Sequence, residues 1–421
     1  MDDEPDERKV RQAVAGAHRR EWAYVLAATV RVTSDIDLAE ECVQDAYVAA
    51  LDAWTRDGVP ANPAAWLTTT ARRKALDAYR RDRTLRAKLP LLVEPAATHP
   101  ADDELFGDAI PDDRLRLVFT CCHPALAREA QVALTLRLVC GLTTAEIAQA
   151  FLVTETTMAA RVTRAKKKIT AARIAYRVPE AHELPDRLDA VLTVVHLLFT
   201  TGHTAPGGEQ LVRADLTGRA LDLARMLRVL MPDEPEVRGL LALLVLADAR
   251  RETRTDGQGR MLLLAEQDRT RWDRAAIEEG CALVVEALRA GRPGRFALQA
   301  AIAALHAEAP AYEATDWPQV LQLYDRLLCV WPSPVVRLNR AVALAMVCGP
   351  QAALDEVREL EGDTRLTGYR YLPATKAYLL RELGREADAA EAYRGALALA
   401  GNEAERAFLT ERLREVGQPP A

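Results

Sequence analysis

Residues 143–169 read TTAEIAQAFLVTETTMAARVTRAKKKI. Thr143 and Glu146 have the spacing of a capping box, in which the hydroxyl accepts from the third amide while the carboxylate reaches back to the first. Just upstream, Gly141 supplies a left-handed stop for a helix expected over Glu129–Cys140. The new helix should run to about Phe151. After a short turn, Thr154 caps a further helix whose Met158, Val162, Ala165 and Ile169 fall on one apolar stripe. Two short helices joined by a tight turn, the second basic on its free face, form the helix-turn-helix pattern. A basic amphipathic helix is ordinarily just a solvated face. Here Arg161, Arg164, Lys166, Lys167, Lys168 and Arg173 have no acid between them, and they coincide with the capping box and the turn length, which together favour DNA. Glu155, Thr156, Thr157, Arg161 and Arg164 would enter a major groove, where arginine reads guanine bidentately and threonine meets a thymine methyl. Lys166, Lys167 and Lys168 lie further along and suit phosphates, which position without specifying.

Upstream, the same three- and four-residue apolar spacing continues and predicts an all-α chain. Helices are expected over His18–Val32, Asp37–Trp54 and Pro63–Arg83, with Asp35 as an N-cap and Pro63 in a first turn. Between Arg72 and Arg86 stand seven bases (Arg72, Arg73, Lys74, Arg80, Arg81, Arg83, Arg86) against Asp77 and Asp82. Trp66 and Tyr79 set aromatic surface among them, which suits a single strand whose bases stack while its backbone is neutralised. Core packing of Trp66 is the competing reading. Residues 87–111, with four prolines, scattered acids and no helical period, read as a linker.

At this point the chain resembles a known family. DLAEECVQDAYVAALDAW (37–54) followed by NPAAWLTTTARRKALDAYRRDR (62–83) looks like region 2 of extracytoplasmic-function sigma factors, and residues 127–169 look like their region 4. The resemblance covers roughly 8–175 and implies a region 2 domain at 8–86, a linker at 87–111 and a region 4 helix-turn-helix domain at 112–178. It implies that Glu40, Glu41, Gln44 and Asp45 dock on the β′ coiled coil of core RNA polymerase, with the β flap as a further contact. It also implies that the loop from about Thr55 to Pro63 captures a flipped base. Trp66, Arg72, Arg73, Lys74, Tyr79, Arg80 and Arg81 would then face the minus-ten element, and the helix 154–168, with Thr156, Thr157, Arg161, Arg164, Lys167 and Lys168, the minus-thirty-five element. Where the family often has asparagine this chain has Arg73, so its detailed promoter preference does not carry over.

The remainder, 179–421, resembles the subgroup with a large tetratricopeptide-like extension, through SPVVRLNRAVALA (333–345) and LLRELGREADAAEAYRGAL (379–397). A shift of 35 residues lays Gly349 and Ala352 on Gly384 and Ala387, near the ~34-residue tetratricopeptide period. A shift of 69 lays Tyr324 and Leu327 on Tyr393 and Ala396. The expected inner face of the last hairpin is Ala387, Ala390, Tyr393 and Ala396. Between 181 and 310 no period repeats, and the segment reads only as helical. Stacked hairpins expose a concave surface suited to a protein or peptide partner.

Composition bounds the rest. At 421 residues, 28% charged and 49% apolar, the chain is in the globular range and long enough for about three domains. Its net charge of −6 conceals a division: residues 1–180 carry 26 bases and 26 acids, leaving 29 and 35 beyond. Clustered bases, and not net charge, mark phosphate binding. The longest apolar run, Leu240–Ala247, is too short for a membrane span, and MDDEPDERKV lacks the basic start of a signal peptide, so a cytoplasmic protein is expected. Seven cysteines without a CxxC pair suggest free thiols. Cys121-Cys122-His123 cannot easily turn three donors to one tetrahedral ion, and a packed, inert cluster is expected, with no metal. His196 and His203 lack the neighbours of a catalytic set. No enzyme and no cofactor are expected. The rival functions are a helix-turn-helix regulator acting without polymerase, and a repeat scaffold.

Overall fold

The computed structural model describes residues 4–88, 113–151, 153–180, 182–205, 207 and 211–417. Among them helices alone build the fold, with one isolated bridge, Thr255 to Met261, as the extended pairing. No described helix is long and apolar enough to cross a membrane. The expected linker falls outside the described residues except for its first two positions, which end a helix. The chain divides into two compact units, Met1–Val194 and Val195–Ala421, and the division falls inside one helix.

The first unit opens with α1 (Glu4–Thr33), α2 (Ile36–Asp57) and α3 (Pro63–Lys88). The first begins well before the expected His18. Asp35 caps α2 as expected: its carboxylate accepts from the amides of Asp37 at 2.8 Å and Leu38 at 3.1 Å, satisfying two otherwise orphaned donors. The buried face of α2 is Ala39, Cys42, Val43, Ala46, Tyr47, Ala50 and Trp54, an apolar stripe at helical spacing.

Four helices follow: α4 (Asp113–Cys121), α5 (Arg128–Leu134), α6 (Thr144–Ala150) and α7 (Glu155–Ala171). The capping box forms as read, with the Thr143 amide 2.6 Å from Glu146 Oε2 and the Glu146 amide 3.2 Å from Thr143 Oγ1. Thr154 Oγ1 accepts from the Thr157 amide at 3.2 Å, and Met158, Val162, Ala165 and Ile169 are all buried. The helix expected over Glu129–Cys140 is not uniform. After Leu134 it widens into a π-turn, Thr135–Val139, where the Cys140 amide reaches back five residues to the Thr135 carbonyl. The cause is tertiary: the Leu138 carbonyl accepts from Trp22 Nε1 of α1 at 3.0 Å. Gly141 then takes φ +70° with its α-carbon so near α1 that a β-carbon would sit 3.0 Å from the Trp22 ring and 3.1 Å from His18. Glycine is required there both for the turn and for the approach. Cys121 and Cys122 are buried, and burial pushes both thiols up, Cys122 to about 11.

The division falls within α8 (Leu184–His203); in the second unit α9 (Ala214–Leu230), α10 (Pro235–Asp248), α11 (Arg274–Arg289) and α12 (Arg295–Glu308) precede α13 (Trp317–Val330), α14 (Pro334–Cys348), α15 (Pro350–Leu360), α16 (Tyr371–Glu382), α17 (Glu386–Leu399) and α18 (Glu403–Gly417). The α10 residue Glu236 caps α12 from a distance, accepting from the amides of Gly294, Phe296 and Ala297. From α13 onward, alternate helices repeat. The first residues of α13, α15 and α17 are Trp317, Pro350 and Glu386, spaced by 33 and then 36 residues. Their inward positions follow the same steps: Val320 and Leu327, then Ala353, Leu354, Val357 and Leu360, then Ala389, Ala390, Tyr393 and Ala396. Gly349 and Gly384 both have positive φ and end the preceding helices, as their 35-residue alignment implies. Ala387 corrects the sequence reading. It is exposed, as is Ala352, both lying just before the buried stripe; that stripe starts at Ala353 in α15 and at Ala389 in α17, four residues after Gly349 but five after Gly384, because Arg385 lies between Gly384 and its helix whereas Pro350 follows Gly349 directly.

Candidate DNA and polymerase faces

The expected DNA-reading residues of α3 occupy an open face. Arg73, Arg80 and Arg81 are exposed, while Lys74 is partly covered, 3.4 Å from Asp45 of α2. Arg80 lies 3.4 Å from Asp77 one turn earlier. Tyr79 is 44% exposed yet tethered, its hydroxyl donating to the Thr33 carbonyl at 2.6 Å, so its ring stands at a fixed angle on the surface. Trp66 is half-buried and meets fully buried Trp54 edge to face at 5.7 Å, which combines packing with an accessible side. Arg72 lines a concave patch with Tyr24, Asn62 and Thr69, and its Nε is buried without a hydrogen-bond partner.

Along α7, Thr156, Thr157, Arg164, Lys167 and Lys168 are exposed and Arg161 is half-buried. Thr157 also shares a hydroxyl contact with Thr154 at 2.8 Å, so part of its polarity serves the cap. Lys166 departs from the phosphate-facing reading. Its ammonium donates to Asp37 Oδ1 at 2.6 Å and to Glu40 Oε2 at 2.8 Å, and only 13% of the side chain is exposed. Burial opposes its charge, but these hydrogen bonds outweigh that and hold its pKa above the usual lysine value.

The expected docking residues of α2 divide in the same way. Glu41, Gln44 and Asp45 are exposed, and Glu41 and Asp45 share a groove of about 510 Å³ with Lys74, Arg80 and Arg81, so the acids expected to meet a protein and the bases expected to meet DNA are neighbours. Glu40 is 7% exposed and wholly committed: Oε2 to Lys166, and Oε1 to the Arg137 guanidinium and to Gln44 Nε2. In this conformation it faces the helix-turn-helix and presents nothing outward.

Around Glu40 the two helical modules of this unit close on one another. Besides Trp22 and Gly141, Tyr176 just past α7 donates to the Ala27 carbonyl of α1 at 3.1 Å, and Arg31 lies 3.4 Å from Asp113. Trp22, Arg137 and Tyr176 were not singled out by the sequence reading. Their one sequence signal was a tryptophan and an arginine on helices otherwise rich in alanine and leucine, and a tyrosine just beyond the last of them.

Three family models match the chain in order: sigma-70 region 2 over residues 18–84, sigma-70 region 4 over 116–169, and a family of unknown function over 187–288. An uncharacterised protein from Rhizobium meliloti (strain 1021) is 43% identical over 399 residues, covering 94% of each chain, so the arrangement is shared along nearly the whole length. No solved structure matches the chain. With regions 2 and 4 in this order and a long helical extension after them, the chain belongs to the sigma-70 family of RNA polymerase sigma factors.

Proposed function

We propose that this sigma factor is of the extracytoplasmic-function type, binds core polymerase through Glu41, Gln44 and Asp45 of α2, and reads two promoter elements. On this reading Trp66, Arg72, Arg73, Lys74, Tyr79, Arg80 and Arg81 meet the melted minus-ten element. Thr156, Thr157, Arg161 and Arg164 read the minus-thirty-five element, with Lys167 and Lys168 on phosphates. The β′ coiled coil and the β flap are the polymerase contacts, and no cofactor takes part. The extension, which carries the excess acid and the helical repeats, is tetratricopeptide-like and regulatory, and its repeat surface is the place for a protein or peptide partner.

One observation carries the reading further: the tie from Lys166 to Asp37 and Glu40. The two promoter elements are roughly 25 base pairs apart, or ~85 Å along duplex DNA at ~3.4 Å per pair. A recognition helix hydrogen-bonded to α2 cannot reach one element while α3 engages the other. The closed arrangement is therefore a resting form, and polymerase and promoter together must separate α7 from α2. The bases released are not lost to solvent, since a phosphate can replace the carboxylate as the partner of Lys166. Glu40 becomes available for docking only in that open form.

The test is run-off transcription with purified core polymerase on genomic fragments, with and without the chain. Specific transcripts only in its presence are expected. Charge reversal at exposed Asp45 should abolish co-purification with core while leaving the protein folded. Normal binding of Asp45→Lys to core would reject the docking face. DNA binding with no transcripts would favour a regulator acting without polymerase.

A further inference from the structure

We infer that the C-terminal unit holds a binding cavity for a small organic carboxylate with an apolar or aromatic body, with Arg250 as its counter-ion. The cavity is about 400 Å³, within the range of metabolite sites. Its walls come from α10, α12, α13 and α14, with Leu246, Trp272, Ile302, Tyr324 and Trp331 giving a mostly apolar and aromatic lining. A second hollow of about 440 Å³ shares Leu264, His306, Tyr324 and Asn339 with it, so the space continues toward the α16–α18 repeats.

An apolar void left by imperfect packing would not need a guanidinium in its wall. Arg250 lines this one just past the end of α10, and no carboxylate among the described residues pairs with it. The charge that acts on it is another base, Arg269, and burial together with that base pulls the Arg250 guanidinium down to about 10. Arg269 spends Nη1 on the carbonyls of His306 and Ala309 and lies over the Trp272 ring at 4.5 Å, while its Nη2 is buried with no hydrogen-bond partner. His306 also lines the cavity, its Nδ1 buried and unpartnered, and burial with Arg250 and Arg269 nearby lowers its pKa to about 4, so the ring is neutral.

A guanidinium in the cavity wall with no carboxylate partner among the described residues, beside buried polar atoms left unspent, is complementary to an anion that arrives from outside. With Arg269 spent in part on backbone carbonyls and the His306 ring neutral, Arg250 is the one guanidinium facing the cavity and matches a single negative charge, and its planar fork matches a carboxylate. Trp272, Tyr324 and Trp331 then favour an apolar or aromatic body attached to it.

The experiment is isothermal titration calorimetry of the full-length protein with 3-phenylpropionate and octanoate, each against its neutral alcohol, 3-phenylpropan-1-ol and 1-octanol. Both carboxylates should bind and quench tryptophan fluorescence. Arg250→Gln should weaken them by about tenfold or more and leave the alcohols unchanged. Because that variant removes an unpaired charge, its ligand-free Tm should be equal or higher. Ala303→Phe, which fills the cavity, should abolish binding of acids and alcohols alike with the helical circular dichroism intact. Four results would overturn the inference: no carboxylate binding up to about 10 mM, equal affinity for acid and alcohol, unchanged carboxylate affinity in Arg250→Gln, or retained affinity in Ala303→Phe.

Discussion

In the first unit, bases drawn off the surface meet acids: Lys166 lies on Asp37 and Glu40, and Arg137 on Glu40. In the second, Arg250, Arg254 and Arg269 are drawn inward and meet carbonyl oxygens, a hydroxyl or nothing, although that part of the chain is the acidic one. The two arrangements suit different work. On the proposed function a paired tie joins two surfaces that each take another partner, so it can open when a phosphate or a protein offers equivalent contacts. Unpaired bases inside an apolar shell have no such exchange and are complementary to an anion brought in.

The largest expected effect breaks the first half of that comparison. Glu40→Gln leaves Arg137 and Lys166 facing each other across a poorly hydrated contact without their shared acid, and should destabilise the N-terminal unit by about 3 kcal/mol in urea denaturation. Adding Lys166→Met should recover part of the loss, because one uncompensated charge goes with it. If the single variant matches wild type, the tie is a surface pair and the closed form has no electrostatic lock.

The second effect concerns the other unit. His196 and His306 are both held down to about 4, burial being the first cause for each, with Arg295 beside one and Arg250 and Arg269 beside the other. Their folded values lie below the unfolded value near 6.5, so the unfolded chain takes up more protons in between. The resulting stability is present above pH 6.5 and is lost as pH falls toward 4, at roughly 2 kcal/mol per histidine by pH 5. Melting curves from pH 7 to 5 should show this fall, with His306→Gln flattening it. An identical pH slope in that variant would show that His306 does not report the buried bases.

The smallest effects separate the two kinds of base on α7. Arg161→Ala should relax base preference at one promoter position, a difference of about 1–2 kcal/mol between cognate and mismatched DNA. Lys167→Ala should weaken all sequences alike and reduce the salt slope by about one. Equal losses across sequences for both variants would erase the distinction. Lys166→Ala sharpens it: since Lys166 is tied to α2 in the closed form, its loss should both loosen the tie and weaken DNA binding, whereas Lys167→Ala leaves the tie alone.

What could be read from the sequence alone was everything settled within a turn or two of helix. The capping box at Thr143 and Glu146, the caps at Asp35 and Thr154, the buried stripe from Met158 to Ile169 and the turn glycines at 141, 349 and 384 all depend on neighbours three or four residues away. Backbone geometry brings those neighbours together in any context. The order of regions 2 and 4 was legible for a related reason, since each is a local motif.

Tertiary structure alone decided which charges face outward. Glu40 and Glu41 are adjacent in the chain, as are Lys166 and Lys167; helical register places Glu40 and Lys166 only beside the apolar stripes, and it takes the facing module to bury them. Glu40 is buried because Lys166, 126 residues away, and Arg137 pack over it. The π-turn after Leu134 likewise depends on Trp22, 116 residues before the carbonyl it engages. Arg250 could only be recognised as unpaired once α10, α12 and α13 had closed around it, because the absence of a counter-charge belongs to the assembled interior and not to any stretch of chain.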